Sequence, residues 1–124
     1  MKKRALVIGN SNYQNVGKLK NPTNDSLDIK NSLEQIGFEV SYSEDIALKE
    51  FNKKVKAFRD VAISSDILFF YYAGHGLQYN VDNYLVPIDA NIEDSEDSEE
   101  ISSESINFSA IEMQRFNFSL RLQI

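Results

Sequence analysis

The sequence predicts an α/β domain built on a mostly parallel sheet, and three observations carry that prediction. Two short apolar runs, Arg4–Gly9 and Ile67–Tyr72, each lead straight into turn residues, as buried strands do. Two stretches between them repeat apolar residues at or near spacings of three and four, the period of a helix with one buried face. The order strand, helix, strand, helix, strand then requires parallel pairing through right-handed crossovers.

Each element has its own warrant. Arg4–Gly9 gives way to Asn10-Ser11-Asn12, a turn cluster. Residues 11–23 contain Gly17 and Pro22 and read as a loop, and loops of that length inside a small domain usually serve function. Asn24 or Asp25 is suited to cap a helix running to about Ile36, with Leu27, Ile29, Leu33 and Ile36 as its apolar residues and Gly37 as its stop. Phe38, Val40 and Tyr42 alternate, which marks a second strand. Leu48, Phe51, Val55, Phe58 and Ala62 form one face of a second helix, with Lys49, Lys53, Lys54, Lys56 and Arg59 over the rest. Ile67–Tyr72 is apolar enough for a strand buried on both faces, and it ends in Ala73-Gly74-His75-Gly76. Tyr84, Leu85, Val86 and Ile88 around Pro87 suggest a hairpin-like piece. Residues 93–105 are Ser- and acid-rich and read as a solvated loop. Ser109 and Glu112 have capping-box spacing, and Phe116 to Ile124 alternates like a half-exposed strand to the last residue.

Composition narrows the function. The chain has 124 residues, 42% apolar and 26% charged, which suits one soluble domain. No apolar run nears the roughly 18 residues of a membrane span, and Ala5–Ile8 is too short for a signal-peptide core, so a cytoplasmic location is expected. There is no cysteine, which excludes disulfides, thiolate metal sites and a thiol nucleophile within these residues. His75 is the single histidine, so a multi-histidine zinc site is excluded as well. The net charge of −6 is concentrated: residues 1–92 carry 11 basic and 11 acidic side chains, and seven carboxylates fall in 93–104. Without a basic stripe, nucleic acid is not an expected partner, and neither is a membrane.

Open parallel sheets place their sites outside the carboxyl ends of the strands, where strand order reverses. With strand 1 between strands 2 and 3, the loop after Gly9 and the Gly-His-Gly turn face each other there, and His75 lies near the Asn24-Asp25 helix start. Small neighbours suit His75 to act as a general base, and the Gly76 amide suits an oxyanion donor. The same spacing also fits a histidine that merely ends a strand, and Asp25 equally fits a helix cap. Ser11 lacks the glycines of a nucleophile elbow, and no phosphate-binding loop is present.

Five segments in order, Arg4–Asn10, Leu19–Asp25, Leu33–Val40, Phe70–Gly76 and Asn83–Asp89, make the chain resemble the caspase family over about residues 3–92, most closely its bacterial metacaspase-like branch. The resemblance implies a caspase-like three-layer sandwich and a C14-type cysteine endopeptidase. In it His75 matches the dyad histidine, Gly76 the oxyanion-hole N–H, and Asp25 the acid that lines the S1 pocket and favours Arg or Lys before the scissile bond. The sequence points to no particular cofactor, and the family resemblance admits Ca²⁺. The family's nucleophile is a cysteine in an Asp-x-Cys context at the end of the fourth strand, about 50 residues after the histidine. Counted from His75, that is roughly position 125. The expectation is therefore residues 1–92 as the N-terminal part of a caspase-like domain, 93–105 as an acidic loop, and 106–124 as an incomplete helix and strand segment ending before the cysteine. Such a chain is inert alone. Its partner is a peptide or protein substrate once the cysteine-bearing segment is supplied, its open sheet edge favours self-association, and the alternative function is a non-catalytic interaction module.

Overall fold

A computed structural model describes residues 1–79, 82–91, 101, 104–107 and 118–123. Four strands make a parallel sheet: β1 (Lys3–Gly9), β2 (Glu39–Glu44), β3 (Ile67–Ala73) and β7 (Phe118–Gln123), in the order β2-β1-β3-β7. Helix α1 (Pro22–Gln35) joins β1 to β2, and α2 (Leu48–Asp60) with a 3-10 turn at Ala62–Ser64 joins β2 to β3. Three short antiparallel strands, β4 (Gly76–Tyr79), β5 (Asp82–Leu85) and β6 (Ile106–Asn107), form a second sheet.

The period of two along the strands sorts side chains into two cores. Leu6 and Ile8 of β1 and Leu68, Phe70 and Tyr72 of β3 pack with Phe51, Val55 and Phe58 of α2. Ala5 and Val7, with Tyr71 and Ala73, pack on the opposite face with Leu33 and Ile29 of α1. The result is the helix–sheet–helix sandwich the sequence predicts. Each fully buried Leu, Ile or Phe in it contributes about 1.5–3 kcal/mol relative to exposure.

The start of α1 differs from the expectation of an Asn24 or Asp25 cap. The N-cap is Asn21, and Pro22 takes the first helical position, where its fixed φ and missing N–H are no handicap. Asn21 makes no side-chain cap; the exposed donor of Thr23 is met instead by Ser11 Oγ at 3.2 Å. Ser26 takes a buried place on the inner face of α1, and a Cβ on Gly9 would lie 2.2 Å from its Oγ. Leu27 and Ile36, by contrast, are exposed. The helix ends as predicted at Gly37 (φ 93°): Phe38 N–H donates to Leu33 O at 3.0 Å and Gly37 N–H to Glu34 O at 3.1 Å, a Schellman closure.

A hairpin does form, but not around Pro87 as expected: β4 pairs with β5, with Gly76 opposite Leu85 and Tyr79 opposite Asp82, while Val86 to Ile88 lie outside any strand. β6 was not foreseen; it adds to β5 and brings Ile106 into the α2-side core. The end of the acidic segment is not solvated throughout, because Ile101 and Ser105 are buried. Residues 92–100 and the capping box at Ser109–Glu112 lie outside the described residues. The alternating tail does supply a strand, and β7 runs parallel to β3 with Leu68 opposite Phe118 and Ala73 opposite Gln123. Among the described residues, no helix is long and apolar enough to cross a membrane.

Candidate functional site

β1 lies between β2 and β3, so the loops after Gly9 and Ala73 leave the same end of the sheet side by side. The strand pairing continues one residue further, with Asn10 N–H donating to Ala73 O at 2.8 Å. Asn10 is fully buried, and its side chain bridges two neighbours. Oδ1 accepts from Ile46 N–H at 3.1 Å, and Nδ2 donates to Val86 O at 3.4 Å. Asp45, at φ 51°, turns the chain after β2 and accepts the Ser11 and Asn12 amides at 2.8 and 2.9 Å. The loop then closes on itself through Leu19 N–H to Ser11 O at 2.9 Å. One small loop is thus tied to β2, to β3 and, through Ser11, to the start of α1.

Tyr13 is the anchor of that loop, 1% exposed and packed with Val86 and Ala90. Its ring lies against His75, centroids 4.6 Å apart at 60°. Its hydroxyl accepts the His75 N–H at 2.8 Å and donates to Val86 O at 2.9 Å. Tyr72, the penultimate residue of β3, donates its hydroxyl to His75 O at 2.7 Å, and the two hydroxyls lie 3.1 Å apart. Burial raises the pKa of Tyr13, and raises that of Tyr72 well above the usual phenol range, so both remain protonated donors. Gly74 lets this happen: a Cβ there would meet each tyrosine hydroxyl at 2.6 Å.

The His75 imidazole is half-buried, and its Nε2 lies 2.5 Å from Gly17 O. A carbonyl can only accept, so this contact assigns a proton to Nε2, and in the neutral ring Nδ1 is then the acceptor nitrogen. That is the state a general base needs before it takes a proton. Gly76 follows directly as the first residue of β4. Asp25 lies in the first turn of α1, half-buried, with its N–H closing the helical bond to Asn21 O at 2.9 Å. The Gly9–Ser26 approach sets that turn at the carboxyl end of β1, the end of the sheet where His75 also lies.

Three contributors were missed from sequence: the Gly17 carbonyl, Tyr13 and Tyr72. A main-chain oxygen has no residue signature, and an aromatic in a polar loop reads as an ordinary anchor. Gly17, a glycine inside the loop of residues 11–23, was the one available hint. Among the described residues, no three His, Asp or Glu side chains gather where a cation could be held. The described residues therefore do not fit a Ca²⁺ site, and no chemistry below runs through one.

A parallel sheet between two helical layers, with a histidine held beyond its third strand, is the architecture of caspase domains. The chain belongs to that family: the C14 peptidase family model, described as the caspase domain, matches residues 2–117. Among individual proteins it is similar to mucosa-associated lymphoid tissue lymphoma translocation protein 1 of Homo sapiens, 36% identical over 88 residues, covering 71% of this chain and 11% of that protein. The homolog from Mus musculus is 35% identical over the same length and shares. Among solved structures, protein GSU0716 from Geobacter sulfurreducens superposes with a TM-score of 0.69 at 18% identity, over 98% of this chain and 49% of that one. That likeness supports the fold. The chain spans 11% of its curated relatives and 49% of the solved structure.

Proposed function

We propose that these residues are the histidine-bearing part of a cytoplasmic, metacaspase-like cysteine endopeptidase that cuts after Arg or Lys. The observation that carries the reading is the Nε2 contact of His75 with Gly17 O at 2.5 Å, which makes Nδ1 the acceptor nitrogen of the neutral ring. In the reaction, Nδ1 takes the proton of a cysteine thiol, and the thiolate attacks the substrate carbonyl. The Gly76 N–H donates to the tetrahedral oxyanion. The imidazolium then returns the proton to the leaving amine, and water hydrolyses the thioester. Asp25 receives the basic side chain before the scissile bond. The thiol is not among these 124 residues, so residues 1–92 act as the N-terminal part of the domain and the chain alone is inert. The register supports a place for it: Gln123 is opposite Ala73, so β7 ends level with the end of β3 that leads into Gly74 and His75.

The test begins with the gene. Reading downstream of codon 124 in all three frames should reveal an Asp-x-Cys motif. The product containing it should cleave reporters ending in Arg or Lys and not Asp, lose activity on thiol alkylation, and lose it again in His75→Ala. A cysteine in place without cleavage overturns the reading. One observation favours a second reading: the chain has no cysteine at all. If no frame supplies one, a non-catalytic interaction module follows, with the open edges of the sheet as its docking surface.

A further inference from the structure

The tyrosine pair beneath His75 has no part in the chemistry just described, yet it is the most densely bonded feature of the site. Both polar ends of the His75 residue are held by phenols: its N–H by Tyr13 at 2.8 Å and its carbonyl by Tyr72 at 2.7 Å. A third bond, Val86 N–H to the same carbonyl at 3.1 Å, ties the residue to the chain after β5. The hydroxyls account for each other. Each phenol has one proton; Tyr72 lies 2.7 Å from His75 O and 3.0 Å from Val86 O, and giving its proton to the nearer His75 O leaves Tyr13 to serve Val86 O at 2.9 Å while the Tyr13 oxygen accepts the His75 amide.

Tyr13 does more than hold the backbone. Its ring backs the imidazole at 4.6 Å, and Tyr13 is four residues from Gly17, whose carbonyl takes Nε2–H. Lys18 Nζ donates to Tyr13 O at 3.2 Å and to Asn12 Oδ1 at 2.6 Å, and Gln14 N–H to Ile88 O at 3.0 Å, so the loop between Tyr13 and Gly17 is braced at both ends. One loop thus holds the His75 N–H, backs its ring and takes its ring proton, while Tyr72 and Val86 hold its carbonyl.

We infer that Tyr13, assisted by Tyr72, is a positioning residue that fixes His75 in the Nε2–H tautomer by holding its peptide and ring against the Gly17 carbonyl. The inference rests on reading His75 as the base, but its test measures the imidazole directly and needs no cysteine. A chain whose His75 were no base would still show the tautomer bias and would fail only in the peptidase assay.

The test uses the 124-residue chain, in which His75 is the only histidine, so the imidazole nitrogens give one unambiguous pair of signals. Long-range ¹H–¹⁵N spectra of the neutral ring should show Nε2–H as the dominant tautomer in the wild type. Tyr13→Phe keeps the ring and removes the hydroxyl. It should shift the two nitrogen signals toward tautomer averaging and speed exchange of the His75 amide about tenfold, the order expected for one lost hydrogen bond. Tyr72→Phe should act in the same direction through the carbonyl. Leu33→Ala, in the α1-side core, lowers stability without touching His75 and should leave the tautomer unchanged. Wild-type tautomer signals in both tyrosine variants would overturn the inference. So would a wild-type ring without Nε2–H dominance, a result that does not depend on any variant folding.

Discussion

Position 74 has no room for a methyl group: a Cβ there would lie 2.6 Å from the hydroxyls of both Tyr13 and Tyr72. Those atoms are the fixed centre of a buried network, so they cannot swing aside as a surface side chain would. Gly74→Ala should therefore cost about 1–3 kcal/mol by overpacking, read as a lower denaturation midpoint, and should also disturb the His75 ring signals. Asp25 is the opposite case. Ser11 meets the Thr23 donor at the helix start, and Asp25 in the first turn adds the helix-dipole increment of about 0.3–1 kcal/mol. In a cysteine-bearing form, Asp25→Asn should lower kcat/KM after Arg and Lys about 100-fold or more, because a buried cation loses its charged partner, while Tm barely moves. Unchanged cleavage after Arg would remove Asp25 from the site. His75 was legible in the sequence because two glycines after an apolar strand are conspicuous. Its support was not, since it consists of a main-chain oxygen and two phenols whose meeting depends on the fold.

Between elements, the bonds that start each helix come from far along the chain. Ala47 precedes α2 without a capping side chain, and Asp89 Oδ1 accepts the Leu48 N–H at 3.0 Å instead. Asp89→Ala should cost about 0.5–2 kcal/mol, the size of an ordinary N-cap loss, although Asp89 is 41 residues away in sequence. This is why the bodies of α1, α2, β1 and β3 could be read from periodicity while the α1 start could not. Periodicity is local, whereas Ser11 and Asp89 act through tertiary contact. β6 escaped for a related reason: two residues carry no period, and only pairing with β5 defines the strand. β2 supplies a test by pH. Burial, with the Glu44 carboxylate bonded to its hydroxyl, pushes the Tyr42 phenol up from 10.0 to about 12. The folded state then holds this proton more tightly than the unfolded chain. The corresponding stability is complete below about pH 10 and drains away as pH rises toward 12. Tm should fall across that window, and the slope should be shallower in Tyr42→Phe, which has no proton to lose. Equal slopes would contradict the assignment.

At the scale of the whole molecule, the sheet decides how the chain behaves in solution. The sequence leads to an apolar open edge at Phe69, Tyr71 or the tail; β7 of the tail covers β3, with Ser119 opposite Phe69 and Arg121 opposite Tyr71. Among the described residues the outer strands are β2 and β7. β2 carries Glu39 and Glu44 at its ends and Ser41 and Ser43 between, the charged and polar pattern that discourages strand addition. β7 reads Phe-Ser-Leu-Arg-Leu-Gln, with one charge in six residues, and the register sets Leu120 and Leu122 in line with Phe70 and Tyr72. Its far side presents main-chain donors and acceptors to any strand of like pattern, and a second copy of β7 is the simplest such strand. The 14.2-kDa chain should therefore show a weight-average mass that rises with concentration in sedimentation equilibrium. Ser41→Lys places a charge on exposed β2, so it separates the two edges: pairing through β7 is unaffected, while pairing through β2 is suppressed. A mass that stays at the monomer value across the concentration range would reject edge pairing. Loss of association in Ser41→Lys would move it to β2.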